Sequence, residues 1–216
     1  MQAVLFDLDG VIIDSHDQHE AAWEQLAKAH GKTLPPNFFK ESFGMRNQSI
    51  FATLLPWTND ATEIAELSEE KEALYRKILA TSGLSPLPGA ADLLSQLAEA
   101  RIPAVLATST PRSNVGAVMD ATGLGHLFLD VICGSDVANG KPDPEVFLKA
   151  AAAANADPAQ CVIIEDAQVG IQAGLAAGCK VLALTTTHPK EALAKESPTA
   201  IAASLKGVTI DFLSKL

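Results

Sequence analysis

Cysteines, aromatic residues and positive charge are scarce in this sequence of 216 residues. The spacing of Cys133, Cys161 and Cys179 fits neither a zinc site nor a disulfide framework, which favours a reducing compartment. Aromatic residues make up only 5% of the chain, so we expect alanine-rich helices to pack closely on a sheet. The formal net charge of −10 disfavours nucleic acid as a partner, because an acidic surface repels the phosphate backbone.

Long apolar runs are also absent. No stretch of the sequence approaches the roughly 20 apolar residues that a membrane-spanning helix needs. The first residues form a short strand-like run, Ala3 to Phe6, without the basic region and apolar segment of a signal peptide. We therefore expect a cytoplasmic protein without a membrane partner, and we take a monomer as its expected state.

The apolar content is high enough for a large core. Hydrophobic residues make up 48% of the chain and charged residues 19%, and the length suits one domain with a small insert. Short apolar runs alternate with helical patterns, which predicts a parallel sheet covered by helices on both faces. The predicted strands are residues 3–6, 102–108, 129–134, 161–165 and 181–185, and the predicted helices between them are residues 90–100, 114–122, 144–155 and 169–177.

A helical insert is predicted near the start of the chain. A helical pattern runs from about residue 17 to residue 30, and further short helices without a strand signal are predicted between about residues 37 and 84. We therefore predict an α/β fold with a Rossmann-like parallel sheet in residues 1–14 and 86–216. Residues 15–85 are predicted to form an all-helical cap inserted into it.

Polar side chains stand where successive predicted strands end. Asp7 and Asp9 follow the first strand, Thr108 ends the second, and Glu165 and Asp166 end the fourth. Because ligands of an open parallel sheet bind outside the carboxyl ends of its strands, we expect these side chains to meet at one edge.

A lysine completes this set. Lys141 stands just before a predicted helix. Taken singly, the Asp-x-Asp pattern is typical of a solvated turn, the acidic pair of a helix cap, and the lysine of a surface charge. Taken together, the carboxylates, a hydroxyl group and a lysine at one sheet edge suit a magnesium ion and a phosphoryl group.

These residues are similar to the motifs of the haloacid dehalogenase superfamily. Its first motif, Asp-x-Asp-Gly, matches residues 7–10, and its second, a Ser or Thr that ends a strand, matches Thr108. Its third motif, a lysine, matches Lys141, and its fourth, an acidic pair followed by small residues, matches residues 165–171. The match covers essentially the whole chain, and the insert resembles the small helical cap of the β-phosphoglucomutase-like subfamily.

The resemblance implies a phosphoryl-transfer enzyme that uses Mg²⁺. Asp7 would be the nucleophile and form an aspartyl phosphate, while Asp9 would act as general acid and base. Thr108 and Lys141 would bind the phosphoryl oxygens. The implied metal-binding residues are Asp7, Asp9 through its carbonyl group, Asp166 and Glu165, the last either as a ligand or as a hydrogen-bond acceptor beside the metal.

The resemblance also implies substrate contacts, most of them in the cap. Ordinary explanations stay open there: His19 and Trp23 as packing on a helix face, Arg46 as a loop charge, and Lys71 as a helical pair with Tyr75. The residues implied to bind substrate are His19, Trp23, Arg46, Lys71, Ser109 and Arg112.

The segment after Thr108 favours a phosphatase over a mutase. It reads Ser109-Thr110-Pro111-Arg112, where the mutase of this subfamily carries a Lys-Asn pair for the second phosphate of its sugar. We therefore predict hydrolysis of a small phosphorylated metabolite, either a sugar phosphate or a nucleotide or flavin precursor. The alternatives are a β-phosphoglucomutase, a dehalogenase that would not need magnesium, and a non-enzymatic receiver-like module, which carries its acceptor on the third strand.

Overall fold

The sheet is described by a computed structural model that covers residues 1–42 and 44–216. Its strands are β1 (Ala3–Phe6), β2 (Ala104–Ala107), β3 (Asp130–Ile132), β4 (Cys161–Glu165), β5 (Lys180–Leu184) and β6 (Ala200–Ala202). All the strand pairs are parallel, and the order across the sheet is β3-β2-β1-β4-β5-β6. The direction of winding therefore reverses between β1 and β4, which are neighbours.

The predicted fold class, an α/β protein with a Rossmann-like parallel sheet, is confirmed. Strands β1 and β4 have the predicted bounds, whereas β2 and β3 are shorter than predicted. The sequence analysis did not predict β6. This strand has three residues, all only partly buried, and it is shorter than the central strands.

The central strands are buried on both faces, which explains their unbroken apolar sequence. Along β1, Val4 and Phe6 belong to one hydrophobic cluster, and Ala3 and Leu5 belong to the cluster on the opposite face. Since side chains alternate along a strand, a strand covered by helices on both faces needs apolar residues at every position.

The insert contains α1 (His16–Ala29), α2 (Phe38–Ser42), α3 (Asn47–Thr53) and α4 (Ala61–Ser82). The prediction of only short helices after residue 37 is wrong for α4, which has 22 residues. Neither glycine nor proline occurs between its ends, so nothing interrupts the helix. The side chain of Asp60 accepts hydrogen bonds from the backbone of Thr62 and Glu63 and caps its start.

The remaining helices come after the insert, where the chain has returned to the sheet. They are α5 (Ala90–Glu99), α6 (Arg112–Thr122), α7 (Glu145–Ala153), α8 (Gln168–Ala176), α9 (Lys190–Leu193) and α10 (Ile210–Ser214). Within residues 1–42 and 44–216, no helix is both long enough and apolar enough to cross a membrane.

The chain leaves and re-enters the sheet layer through two segments that lie side by side. Ile13 forms an isolated antiparallel bridge with Pro86, and the backbone N–H of Leu87 donates to the carbonyl of Ile12 at 2.8 Å. We propose this paired crossing as the boundary between the cap and the core. A paired crossing fixes both ends of the insert above the same edge of the sheet.

Candidate active site

The predicted core residues meet at the carboxyl ends of β1 and β4. Asp7 follows β1, and Glu165 and Asp166 stand at the end of β4. The Nζ atom of Lys141 lies 2.6 Å from Oδ1 of Asp7 and 2.7 Å from Oε1 of Glu165. This is the edge where the winding reverses, which is the expected position for a ligand in such a sheet.

Negative charge is in excess at this edge. Carboxylate oxygens of Asp7, Glu165 and Asp166 all lie within 4.8 Å of one another, all three residues are buried, and Lys141 supplies one positive charge. Burial, opposed by Lys141, raises the pKa of Asp7 to about 7. Burial and the charge of Glu165 raise the pKa of Asp166 well above its ordinary value. A divalent cation fits this donor set, because hard cations prefer carboxylate oxygens and would offset the surplus charge.

Glu165 has both of its oxygens engaged by protein donors. Oε1 accepts from Lys141, while Oε2 accepts from the backbone N–H groups of Asp166 and Ala167, each at 2.8 Å. The carboxylate therefore fixes the loop that leads into α8 and orients the lysine. Among the two roles open to Glu165 in the sequence analysis, this geometry favours the hydrogen-bond acceptor.

Asp166 is held by the loops around it. Thr187, just beyond β5, donates a hydrogen bond to Oδ2 of Asp166. Gly10 has a φ of 76°, and a Cβ atom at this position would overlap the same carboxylate oxygen. Two reasons therefore favour glycine at position 10. It tolerates the left-handed conformation, and it lets the backbone approach Asp166.

Asp9 has different surroundings from Asp7. Ser15 donates to its Oδ1 atom, Thr110 donates to Oδ2 at 2.6 Å, and Nε2 of His19 lies 3.5 Å from Oδ1. Burial alone would raise the pKa of Asp9, but His19, Ser15 and Thr110 outweigh it and lower the pKa to about 2. The two carboxyl groups of the Asp-x-Asp motif are thus placed in opposite electrostatic environments.

His19 connects Asp9 to the cap helix α4. Its Nδ1 atom lies 2.7 Å from Nζ of Lys71, and its ring stacks on Tyr75 with centroids 4.1 Å apart. Since an ammonium group only donates, Nδ1 accepts and Nε2 carries the proton that faces Asp9. Lys71 in turn pairs with Glu72 at 3.0 Å.

A cavity of about 300 Å³ lies between the core edge and the cap. This volume is at the lower end of the usual range for small-molecule sites. Its lining includes most of the residues predicted to bind substrate or act on it, namely Asp7, Asp9, His19, Trp23, Arg46, Lys71, Thr108 and Ser109.

Three of the predicted substrate-binding residues also have structural partners. Trp23 packs edge-on against Phe38 and is almost fully buried. Ser109 donates to the carbonyl of Gly44 at 3.0 Å, which joins the core to the cap. Arg46 donates through Nη1 to core carbonyl groups, at 3.4 Å and 3.2 Å. Each therefore contacts both the cavity and the protein around it.

The structure does not bring Arg112 to the cavity. Its guanidinium group donates to Asp136 at 2.6 Å and to the carbonyl of Val131 at 3.1 Å, and its side chain is 58% exposed. Arg112 is the first residue of α6 and lies on the side that faces β3. It is not among the described residues that line the cavity.

Several residues around the site were not singled out from the sequence. Thr110 and Thr187 follow β2 and β5, so the same strand-end argument could have included them. Ser15, Glu72 and Asn114 carry no such signal, because their contacts depend on how the cap lies over the core.

Comparison with known proteins identifies the family of this chain. Residues 1–178 match the haloacid dehalogenase-like hydrolases. The chain belongs to this family. A relative from Streptomyces hygroscopicus subsp. limoneus, named validoxylamine A 7'-phosphate phosphatase, is 34% identical over 194 residues, or 90% of this chain and 90% of the relative.

Two further haloacid dehalogenase-like proteins illustrate the β-phosphoglucomutase-like branch. The β-phosphoglucomutase of Bacillus subtilis (strain 168) is 33% identical over 185 residues, which cover 82% of this chain and 80% of the relative. The crystal structure of a β-phosphoglucomutase from Clostridium difficile has a TM-score of 0.88 and 25% identity, and the match covers 100% of this chain and 96% of that one. The predictions of an enzyme and of this subfamily are confirmed, and the non-enzymatic receiver-like alternative is wrong.

Proposed function

We propose that this enzyme is a magnesium-dependent phosphatase of small phosphorylated metabolites, either sugar phosphates or nucleotide and flavin precursors. The observation that carries the proposal is the pairing of Asp7 and Asp9 at one cavity in opposite environments. Asp7 contacts the Lys141 ammonium group, and Asp9 contacts hydroxyl groups and His19. A carboxylate in contact with an ammonium group at the cavity suits a nucleophile, and a second carboxyl group two residues away on the same cavity suits the acid-base role.

In the first step, Asp7 attacks the phosphorus atom of the bound ester. The bond between phosphorus and the ester oxygen breaks, and an aspartyl phosphate forms. Lys141 and Thr108 bind the oxygens of the transferred group, and Asp9 protonates the leaving oxygen. In this proposal the monoanionic phosphate ester, whose second pKa lies near 6, brings this proton to Asp9 as it binds.

In the second step, Asp9 removes a proton from a water molecule, which attacks the phosphorus atom of the aspartyl phosphate. The bond to Asp7 breaks, inorganic phosphate leaves, and the Asp7 carboxylate is restored. The residues that would hold Mg²⁺ are Asp7, Asp166 and the carbonyl group of Asp9, with Glu165 beside them. When bound, the ion neutralises negative charge on the phosphoryl group and orients it.

A β-phosphoglucomutase is the second candidate, and one contact favours it. His19 and Lys71 link Asp9 to the cap, so cap closure on a sugar could control when Asp9 acts. Against this candidate, Arg112 is turned away from the cavity, and Arg46 donates to core carbonyl groups. Arg112, the predicted partner for a second phosphate, is therefore absent from the described lining of the cavity, which supports the phosphatase.

A dual assay decides between the two candidates. The enzyme receives β-glucose 1-phosphate with a trace of glucose 1,6-bisphosphate, and glucose 6-phosphate and free phosphate are measured together. A panel of sugar, polyol and nucleotide-precursor monophosphates is tested in parallel for phosphate release. We expect phosphate release from at least one monophosphate to outrun any isomerisation. Glucose 6-phosphate formed much faster than free phosphate would establish the mutase instead.

A further inference from the structure

Glu72 is a buried carboxylate on which hydrogen bonds from the cap and the core converge. Its Oε1 atom accepts from Lys71 at 3.0 Å and from Asn47 at 2.7 Å, and its Oε2 atom accepts from Asn114 of the core helix α6. Burial would raise the pKa of Glu72, but the charge of Lys71, the neighbouring His19 and these hydrogen bonds outweigh it and lower the pKa. The carboxylate therefore stays ionised beside the cavity.

This carboxylate balances the charge of Lys71. The Lys71 ammonium group is enclosed by His19, by Glu72 and by the rings of Trp23 and Tyr75, whose centroids lie 5.4 Å and 5.5 Å from Nζ. Both charged residues are almost fully buried. A cation with an anion 3.0 Å away presents little net charge to a ligand beyond it.

The α4 side of the cavity consequently lacks a surplus of positive charge. It is lined by Ser68, Glu69, Lys71 and Glu72, which together carry two negative charges and one positive charge. Arg46, which also lines the cavity, directs its Nη1 atom to carbonyl groups of the core. A second anionic group on the substrate would meet a neutral or negative surface here.

We infer that Glu72 is a specificity-determining residue. It makes the α4 side of the cavity accept an uncharged, hydroxylated part of the substrate and exclude a second phosphate group. Neutral side chains that can hydrogen-bond to hydroxyl groups line the same region, among them Asn47, Gln48 and Ser68. The inference rests on the proposed phosphatase function, because it assumes that the transferred phosphoryl group lies at Asp7.

The test compares a monophosphate with the matching bisphosphate. Fructose 1-phosphate and fructose 1,6-bisphosphate are supplied with Mg²⁺ to the wild-type enzyme, and kcat/KM is measured from phosphate release. We expect the wild type to prefer the monophosphate by at least about tenfold, since like charges placed together at an interface oppose binding. In Glu72→Gln the charge of Lys71 is unbalanced, so this preference should shrink by about tenfold or more.

Two further variants separate charge from structure. Glu66→Gln removes the same charge from an exposed residue of α4 that is not among the described residues lining the cavity, and it should leave the preference nearly unchanged. The double variant Lys71→Gln with Glu72→Gln removes both charges, so the preference should return toward the wild-type value. A loss of packing alone would lower kcat/KM for both esters and leave their ratio unmoved.

Two results would overturn the inference. One is a wild-type enzyme that handles the bisphosphate as well as the monophosphate, and this result does not depend on any variant folding. The other is a folded Glu72→Gln protein with an unchanged ratio. If the wild-type enzyme hydrolyses neither ester, that result counts against the proposed phosphatase function with these esters and not against the role of Glu72. Titration calorimetry of the same two esters with the wild type and Mg²⁺ then gives the ratio of dissociation constants, which decides the charge preference by the same criterion.

Discussion

Lys141 and Asp7 are in direct contact although 134 residues separate them in the chain, with Nζ and Oδ1 2.6 Å apart. Both side chains are buried. Burial alone would lower the pKa of Lys141, but Asp7 and Glu165 outweigh it and raise that pKa, so the lysine stays charged. A permanent cation beside the proposed nucleophile stabilises its carboxylate and offers a ligand for phosphoryl oxygens.

Replacement of the nucleophile tests the mechanism directly. Asp7→Asn should lower kcat by about 10³-fold or more, because an amide does not form the aspartyl phosphate. The metal-free protein should remain folded, since the change removes one of three crowded carboxylates and leaves Lys141 its contact with Glu165. Thermal melting and phosphate release are measured together, with the exposed Asp92→Asn as the matched control. A folded Asp7→Asn protein that keeps most of the wild-type activity would refute the mechanism with Asp7 as nucleophile.

Loss of the acid-base side chain should have a smaller effect. Asp9→Asn should lower the rate by about 10²- to 10⁴-fold, the usual contribution of general acid-base catalysis. The backbone carbonyl is unchanged, so Mg²⁺ should bind with nearly the same affinity. Turnover and metal binding by calorimetry separate the two functions of this residue. If Asp9→Asn abolished metal binding but not chemistry, the roles of its side chain and its carbonyl would have to be exchanged.

Metal removal tests the proposed cofactor. Chelation should stop turnover, and added Mg²⁺ should restore it, whereas Ca²⁺ should substitute poorly because it favours longer bonds and looser coordination. Mg²⁺ at 100 times its dissociation constant should also stabilise the fold by about 2.7 kcal/mol. That stabilisation, measured by denaturant unfolding, should largely disappear in Asp166→Asn. Full activity in excess chelator would favour the dehalogenase alternative.

Two helical glycines provide a matched pair of variants that test whether Glu165 holds Lys141 in position. A Cβ atom at Gly170 in α8 would overlap the Glu165 carboxylate, whereas one at Gly116 in α6 would have no atom of the described residues within 4 Å. Gly170→Ala should destabilise the protein by about 1–3 kcal/mol through overpacking, and it should lower kcat because Lys141 loses its alignment. Gly116→Ala should stabilise it by about 0.5–1 kcal/mol, since alanine favours a helix. Urea unfolding and turnover measure both effects, and equal behaviour of the two variants would contradict the role given to Glu165.

The core of the site could be predicted from the sequence because each residue is tied to an element by local rules. Asp7 and Glu165 lie at the ends of strands whose apolar residues are continuous, and the bounds of both strands were predicted correctly. In a parallel sheet, all carboxyl ends lie at one edge, so the position of a residue just after its strand is enough to place it there. The strand order was not needed for this prediction.

The cap contacts could not be predicted in the same way. Arg112 was expected at the cavity, but its first position in α6 directs it to Asp136 and the carbonyl of Val131. Glu72 and Asn114 are 42 residues apart in sequence and belong to different helices, and their contact exists only because the cap lies over the core. No periodicity within either helix encodes such a contact.

The sequence by itself determined the alternation of strands and helices, the position of the insert and the set of residues at the sheet edge. These follow from local patterns, which need only the pleat of a strand and the turn of a helix. The tertiary structure alone decided that β1 and β4 are neighbours, that His19 and Lys71 reach Asp9, and that Glu72 balances Lys71. Such contacts depend on the relative placement of whole elements, which is set by the packing of many apolar side chains at once.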